Sequence, residues 1–139
     1  MKKMFILLII FTYLLTCPGC VQEAYSIQLK QAESEIIRIT FVNNERNTPQ
    51  TVYVTETDTQ IMEIASYLQV LEIGRFHNDP PTSYGKLYVE ICYQNGDIEI
   101  LGTDMLKYIS IDGTIEDSYG GWYYVKMEAM LELFQRYIS

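Results

Sequence analysis

The chain has 139 residues, of which 48% are hydrophobic and 20% charged, and its formal net charge is −8. That is the composition of one globular domain, and it lacks the low hydrophobicity and high charge of a disordered chain. An acidic surface repels phosphate backbones and anionic lipid, so nucleic-acid binding and electrostatic membrane attachment are both disfavoured.

Residues 1–19 read as a signal peptide. Lys2 and Lys3 open it, and residues 5–15 are apolar apart from Thr12 and Tyr13. Eleven residues of helix reach about 16 Å, roughly half the hydrocarbon core of a bilayer. That length suits an export signal and not a membrane span. The leader holds no acidic residue, so beyond it eight basic residues face 18 acidic ones, a net of −10. The apolar run ends in Leu14-Leu15-Thr16-Cys17-Pro18-Gly19-Cys20. A cysteine at this place, with a small residue before it, resembles the lipobox of bacterial lipoproteins. The resemblance implies that Cys20 becomes the first mature residue and carries a thioether-linked diacylglycerol with long acyl chains such as palmitate. Two acyl chains anchor stably where one does not. Cys17, with Leu14 three residues before it, is the alternative, and simple secretion after cleavage near Gly19 is the other outcome. Residues 20–34 are polar and without a firm period. They read as the lipidated N-terminus and a tether, partly helical at most.

Residues 35–139 read as a single α+β domain. Residues 35–42 alternate and are β-branched, a strand signal. Asn43 to Gln50, with Pro49, is a turn cluster, and 51–55 returns as a second strand. Residues 57–71 predict a helix: Ile61, Ile64, Ala65, Leu68 and Leu71 form one stripe. Thr57 and Gln60 have capping-box spacing, Asp58 suits the first turn, and Gly74 is placed to close the far end. Residues 74–85, with Pro80 and Pro81, read as a loop. Residues 86–93 predict a strand with Leu87, Val89, Ile91 and Tyr93 on one face. Tyr88, Glu90, Cys92 and Gln94 fall on the other, expected to be exposed. Asn95-Gly96 is the strongest short hairpin signal, and it joins this strand to one at 97–101. A short strand follows at 109–111, then a polar connection at 114–121 and a last strand at 122–125. Residues 127–137 predict a closing helix with Met127, Met130, Leu131, Phe134 and Ile138 on one face. The order ββαββββα predicts a small antiparallel sheet of five to six strands with two amphipathic helices on one face.

Chemistry-bearing residues are few. His77 is the only histidine, and with Asp79 it could form a base, but no motif pairs it with a nucleophile. Cys92 stands alone inside a strand, where a thiol is usually a packing residue. Neither a metal-ligand spacing nor a calcium loop is present, so no cofactor is expected. The aromatics carry more. Tyr119-Gly120-Gly121-Trp122-Tyr123-Tyr124 gathers four rings around two glycines, and exposed Trp and Tyr anchor protein or glycan partners. Tyr84 and Tyr88 could extend that surface. The plain alternative is that these rings cover the sheet and the helix ends.

Ile61 to Leu68, Tyr93-Gln94-Asn95-Gly96-Asp97, Trp122-Tyr123-Tyr124 and Leu131-Glu132-Leu133-Phe134 follow one another in an order that resembles small, uncharacterised lipoproteins of Gram-positive bacteria. The resemblance brings no activity with it. It implies a lipid-anchored protein on the extracytoplasmic face of the cell membrane; the short tether, the small sheet and the lack of a catalytic set add the expectation of a non-catalytic module for an envelope protein or glycan. An inhibitor of an envelope hydrolase, wedging with residues 78–84, is the alternative, and a hydrolase built on His77 is a third reading.

Overall fold

The computed structural model describes residues 26–76, 81–117 and 122–138. Strands β1 (Ile36–Asn43) and β2 (Gln50–Thr55) form the expected hairpin, followed by helix α1 (Asp58–Leu68). Then come β3 (Ile73–Arg75), β4 (Leu87–Tyr93), β5 (Ile98–Gly102), β6 (Leu106–Ile109), β7 (Ile115–Asp117), β8 (Tyr123–Val125) and helix α2 (Met127–Ile138). The main sheet has six strands in the order β2-β1-β4-β5-β6-β7, and β3 and β8 make a separate pair. All pairings are antiparallel. The fold is thus the α+β architecture that the alternation and the two helical stripes predict.

Both helices lie on one face of the main sheet. The core joins Ile39, Phe41, Val89, Ile91 and Leu101 of the sheet to Ile61, Ile64, Ala65 and Leu68 of α1 and to Met130, Leu133 and Phe134 of α2. Burial of such side chains is worth about 1.5–3 kcal/mol each and drives the layering. Phe41 is central, with ring centroids 5.1 Å from Phe134 and 5.4 Å from Tyr53, both edge-on. The Asn95-Gly96 turn forms as expected: Gly96 takes φ +90°, which favours glycine, and its N–H donates to the Tyr93 carbonyl at 2.9 Å.

Several expectations change in detail. The segment 74–85 is not all loop, because Ile73–Arg75 pairs with Tyr123–Val125. Gly74 does not cap α1, which ends at Leu68 with Gln69 as its cap. Its role is close approach, since a Cβ there would lie 2.4 Å from Tyr124 Cζ. Residues 115–117, within the expected connection, add a strand at the sheet edge, and the strand expected at 109–111 sits at Leu106–Ile109. The capping box does not form: Thr57 makes no side-chain cap bond. Instead the Thr55 hydroxyl donates to Gln60 Oε1 at 2.7 Å and accepts the Thr57 N–H at 3.3 Å. In α2 the buried stripe is Met130, Leu133 and Phe134, while Leu131 and Ile138 are exposed. The outer sheet face is also less open than expected, for Tyr88 and Cys92 are buried there, and Val42, Tyr88 and Ile100 form a second apolar cluster.

Residues 26–35 are fastened to the domain. Ser26 bridges Glu72, Ile27 is 1% exposed within the core, and Glu33–Glu35 forms a 3-10 turn. A tether would leave this stretch solvated; a buried isoleucine and paired backbone hold it down.

Candidate functional site

The strand order separates the predicted aromatic surface. Tyr123 alternates inward on β8, is 8% exposed and belongs to the main core. The Arg75 guanidinium lies 5.7 Å from its ring centroid. Trp122, just ahead of the strand, is 39% exposed. Tyr124 takes the opposite side of β8, over Gly74, with its ring centroid 4.5 Å from that of Phe76. Tyr88 is 5% exposed on the outer sheet face, where half-buried Tyr84 meets it edge-on at 5.4 Å. Tyr84 and Tyr88 therefore cap one face of the main sheet while Tyr123 fills the other. Tyr119, His77, Asp79, Cys17 and Cys20 lie outside the described residues.

Cys92 is a free, buried thiol on the outer face. Arg38 Nη2 donates to its Sγ at 3.3 Å, and that contact chiefly pushes the guanidinium pKa up. Among the described residues, no group of three histidine, cysteine or carboxylate side chains could hold a metal ion, and no helix is long and apolar enough to cross a membrane.

The densest polar arrangement is one the sequence pattern did not single out. Glu99 points to the helix side of β5 and is fully buried. Its Oε2 accepts the Tyr93 hydroxyl at 2.6 Å and the backbone N–H of Lys30 at 3.0 Å, whereas Oε1 has no partner. Burial pushes the Glu99 carboxyl pKa up, and the Tyr93 and Lys30 donors pull against that. The Tyr93 hydroxyl is pushed up as well, first by burial and then by the neighbouring Glu99. Beside them, the Gln31 amide donates to the Tyr108 hydroxyl at 2.7 Å, to Asp97 Oδ2 at 3.1 Å and to Asn95 Oδ1 at 3.2 Å. Asp97 also accepts the Tyr108 hydroxyl and the Ile111 N–H. These donors hold its carboxyl below the usual range, the tyrosine first.

This cluster binds Lys30 and Gln31 to the β4–β5 hairpin and to Tyr108. Buried polar groups joined in this way fix one arrangement, because each lost partner leaves another group unsatisfied. With Glu99 closed off from solvent, the arrangement is a clasp for the chain and not a cleft for a substrate. The signal that could have found it is the sequence Tyr93 to Glu99: in a tight hairpin, Tyr93 and Glu99 stand near one another on the same face.

Two grooves open elsewhere. One, of about 450 Å³, runs between the 3-10 turn and the start of α1, and Glu33, Glu56 and Asp58 line it with Ile37 and Met62. The other, of about 340 Å³, lies between β2 and α2, lined by Asn43, Val52, Phe134, Gln135 and Ile138. Compared with family models, curated proteins and solved structures, the chain matches none.

Proposed function

We propose that this protein is an extracytoplasmic lipoprotein, held on the outer face of a bacterial membrane by a diacylglyceryl thioether on Cys20, and that it serves as a non-catalytic interaction module for an envelope protein or glycan. The observation that carries the reading is where the chain joins the fold. Ser26 and Ile27 are already fastened to the domain, six residues past Cys20. Extended chain covers at most about 3.6 Å per residue, so the acylated thiol can stand no more than about 20 Å from the domain. The protein then rides close to the bilayer, and its net −10 surface keeps the domain itself off anionic lipid. A rigid sheet backed by two helices, displayed at short reach, suits recognition.

Intact-mass analysis of the membrane fraction tests this. The expected species begins at Cys20 and carries a diacylglyceryl group, and Cys20→Ser removes the modification while Cys17→Ser leaves it. An unprocessed Met1 with unmodified Cys20 on cytosolic protein would refute the reading. For partner capture, Trp122→Ala is the informative variant, since Tyr123→Ala would empty a core position instead.

A further inference from the structure

Residues 26–31 are fastened to the domain without forming a strand of either sheet. Ser26 makes one bridge to Glu72, and Ile27 is buried in the core. Leu29 and Gln31 are half-buried, and Ser26, Gln28 and Lys30 are exposed. Two further fastenings end on carboxylates: the Lys30 N–H on Glu99 and the Gln31 amide on Asp97. A stretch held by few apolar contacts and few ladder bonds opens locally, well short of global unfolding. The next hold along the chain is of another kind. The Glu35 N–H closes the 3-10 turn on the Ala32 carbonyl at 2.9 Å, and the Gln94 N–H of the hairpin donates to the Glu35 carbonyl at 2.8 Å. The loosely held part therefore ends ahead of Glu33.

This part of the chain closes over a carboxyl. Glu99 has no exposed surface, and the Lys30 N–H rests on its Oε2. Among the described residues Oε1 has no partner. A neutral carboxyl can be enclosed in this way at modest cost, but an ionised one leaves a bare charged oxygen out of water. Lifting residues 26–31 opens that side to solvent and removes the penalty. Proton and strap are thus coupled by geometry. The groups facing Glu99 are Tyr93 from β4, Tyr108 from β6 with Asp97 bonded to it, and Lys30 from the strap itself. Strand β8, which also packs on β5, brings the buried Tyr123. Tyr93 and Tyr108 are pushed up, chiefly by burial, and stay neutral, while Asp97 is held below its ordinary range and stays ionised. The Tyr93 hydroxyl, the Lys30 N–H and the Lys30 charge favour ionised Glu99; burial is the larger effect and pushes its carboxyl up. The closed form therefore holds the proton more tightly than the open one, and its advantage falls as pH rises through the raised value.

We propose that residues 26–31 are a proton-gated strap, which lifts from the β4–β5 hairpin as a unit while the 3-10 turn stays in place, and which lifts more readily once Glu99 has lost its proton. The closed form remains the more populated one. In the anchored protein, lifting moves the first fastening from Ser26 to Glu33, thirteen residues past Cys20. The greatest distance from the acylated thiol to the domain then grows from about 20 Å to about 47 Å. That gain in reach rests on the lipid-anchor reading; the motion of the strap does not.

Hydrogen exchange of the full chain in detergent tests this, resolved by residue and corrected at each pH for the intrinsic rate, from about pH 5 to about pH 8. The Lys30 amide reports the strap, the Gln94 amide the hold on the 3-10 turn, and the Tyr93 amide, bonded to the Asp97 carbonyl, the hairpin. At every pH the Lys30 opening constant should exceed those of Gln94 and Tyr93 by about tenfold or more. Across the series it should rise by about threefold or more. Glu99→Gln keeps an acceptor for the Lys30 N–H but has no proton to lose, so its strap should open equally often throughout. A Lys30 amide protected as well as Tyr93, or Gln94 opening together with Lys30, overturns the separate strap. A flat response in the unsubstituted chain, or an undiminished one in Glu99→Gln, overturns the gate. Should Glu99→Gln fail to fold, the unsubstituted chain still decides by its own three amides. A failed anchor shows in the intact mass and leaves this exchange pattern as it is, so the two failures are told apart.

Discussion

Replacing Tyr93 with phenylalanine keeps the buried ring and removes one hydroxyl, and its cost should depend on pH through a different residue. In the native protein that hydroxyl is one of two donors to Glu99, at 2.6 Å. Without it the carboxyl keeps only the Lys30 N–H on Oε2, with Oε1 already unpartnered. A hydrogen bond to a buried charged group contributes about 1.5–3 kcal/mol, and a neutral one about 1 kcal/mol. Folding raises the Glu99 pKa above 4.5, chiefly through burial. The folded state thus holds this proton more tightly than the unfolded chain. For this group, stability is greatest below pH 4.5 and falls as pH rises through the raised folded value. Once pH has risen through the folded value the carboxylate is charged, and there Tyr93→Phe should cost about 1.5–3 kcal/mol; at pH 4 it should cost about 1 kcal/mol. For a domain of this size each kcal/mol moves the midpoint by about 3–6 °C. Thermal melts followed at Trp122, for both proteins across a pH series upward from 4, read the difference directly. Asp97, whose pKa is lowered from 3.8, loses its contribution only as pH falls below that value, outside this window. A loss that stays the same at every pH of the series, or no loss at any, would refute the account of Glu99 as a buried carboxylate held by Tyr93. Glu99→Gln should flatten the same slope.

Two further expectations follow from packing. An alanine Cβ at Gly102 would lie 2.0 Å from the Tyr84 carbonyl oxygen and 2.9 Å from that of Met105. Both are backbone atoms, so Gly102→Ala should cost about 3 kcal/mol or more in urea titration. Gly113→Ala, at φ +86° with nothing within 4 Å, should cost only about 1–2 kcal/mol from backbone strain. On α2, Leu133→Ala should cost about 2–5 kcal/mol because Leu133 is fully buried, whereas Leu131→Ala should stay within about 0.5 kcal/mol in monomeric protein. A reversal of either order in urea titration would show that the packing differs from that described.

Strong periodicity made much of the fold legible. The alternation at 35–42 and 86–93, the Asn95-Gly96 turn and the stripe from Ile61 to Leu68 each specify an element locally, and each formed. Three-residue strands carry no period of their own. Ile73–Arg75 and Ile115–Asp117 exist because Tyr123–Val125 and Leu106–Ile109 lie beside them, which no local pattern encodes. Gly74 looked like a helix stop, but the demand on it comes from a distant ring, that of Tyr124. In β5 the pattern was ambiguous. Ile98 and Ile100 line the outer cluster while Glu99 turns inward, so a polar residue between isoleucines marked the buried side. Of the aromatic set, proximity in sequence did not mean one surface, since a sheet sends neighbouring positions to opposite faces. The leader and its cysteines rest on the chain order and chemistry of residues 1–20.

The clasp around Ile27 and Lys30 has a mechanical consequence. Tension that reaches Ser26 meets held chain at once. It arrives at a plugged isoleucine, then at the Lys30–Glu99 bond on a central strand. A pull on this leading end must therefore undo the Ser26–Glu72 bridge, draw Ile27 out of the core and strip Lys30 and Gln31 from the β4–β5 hairpin before it reaches the first strand of the sheet.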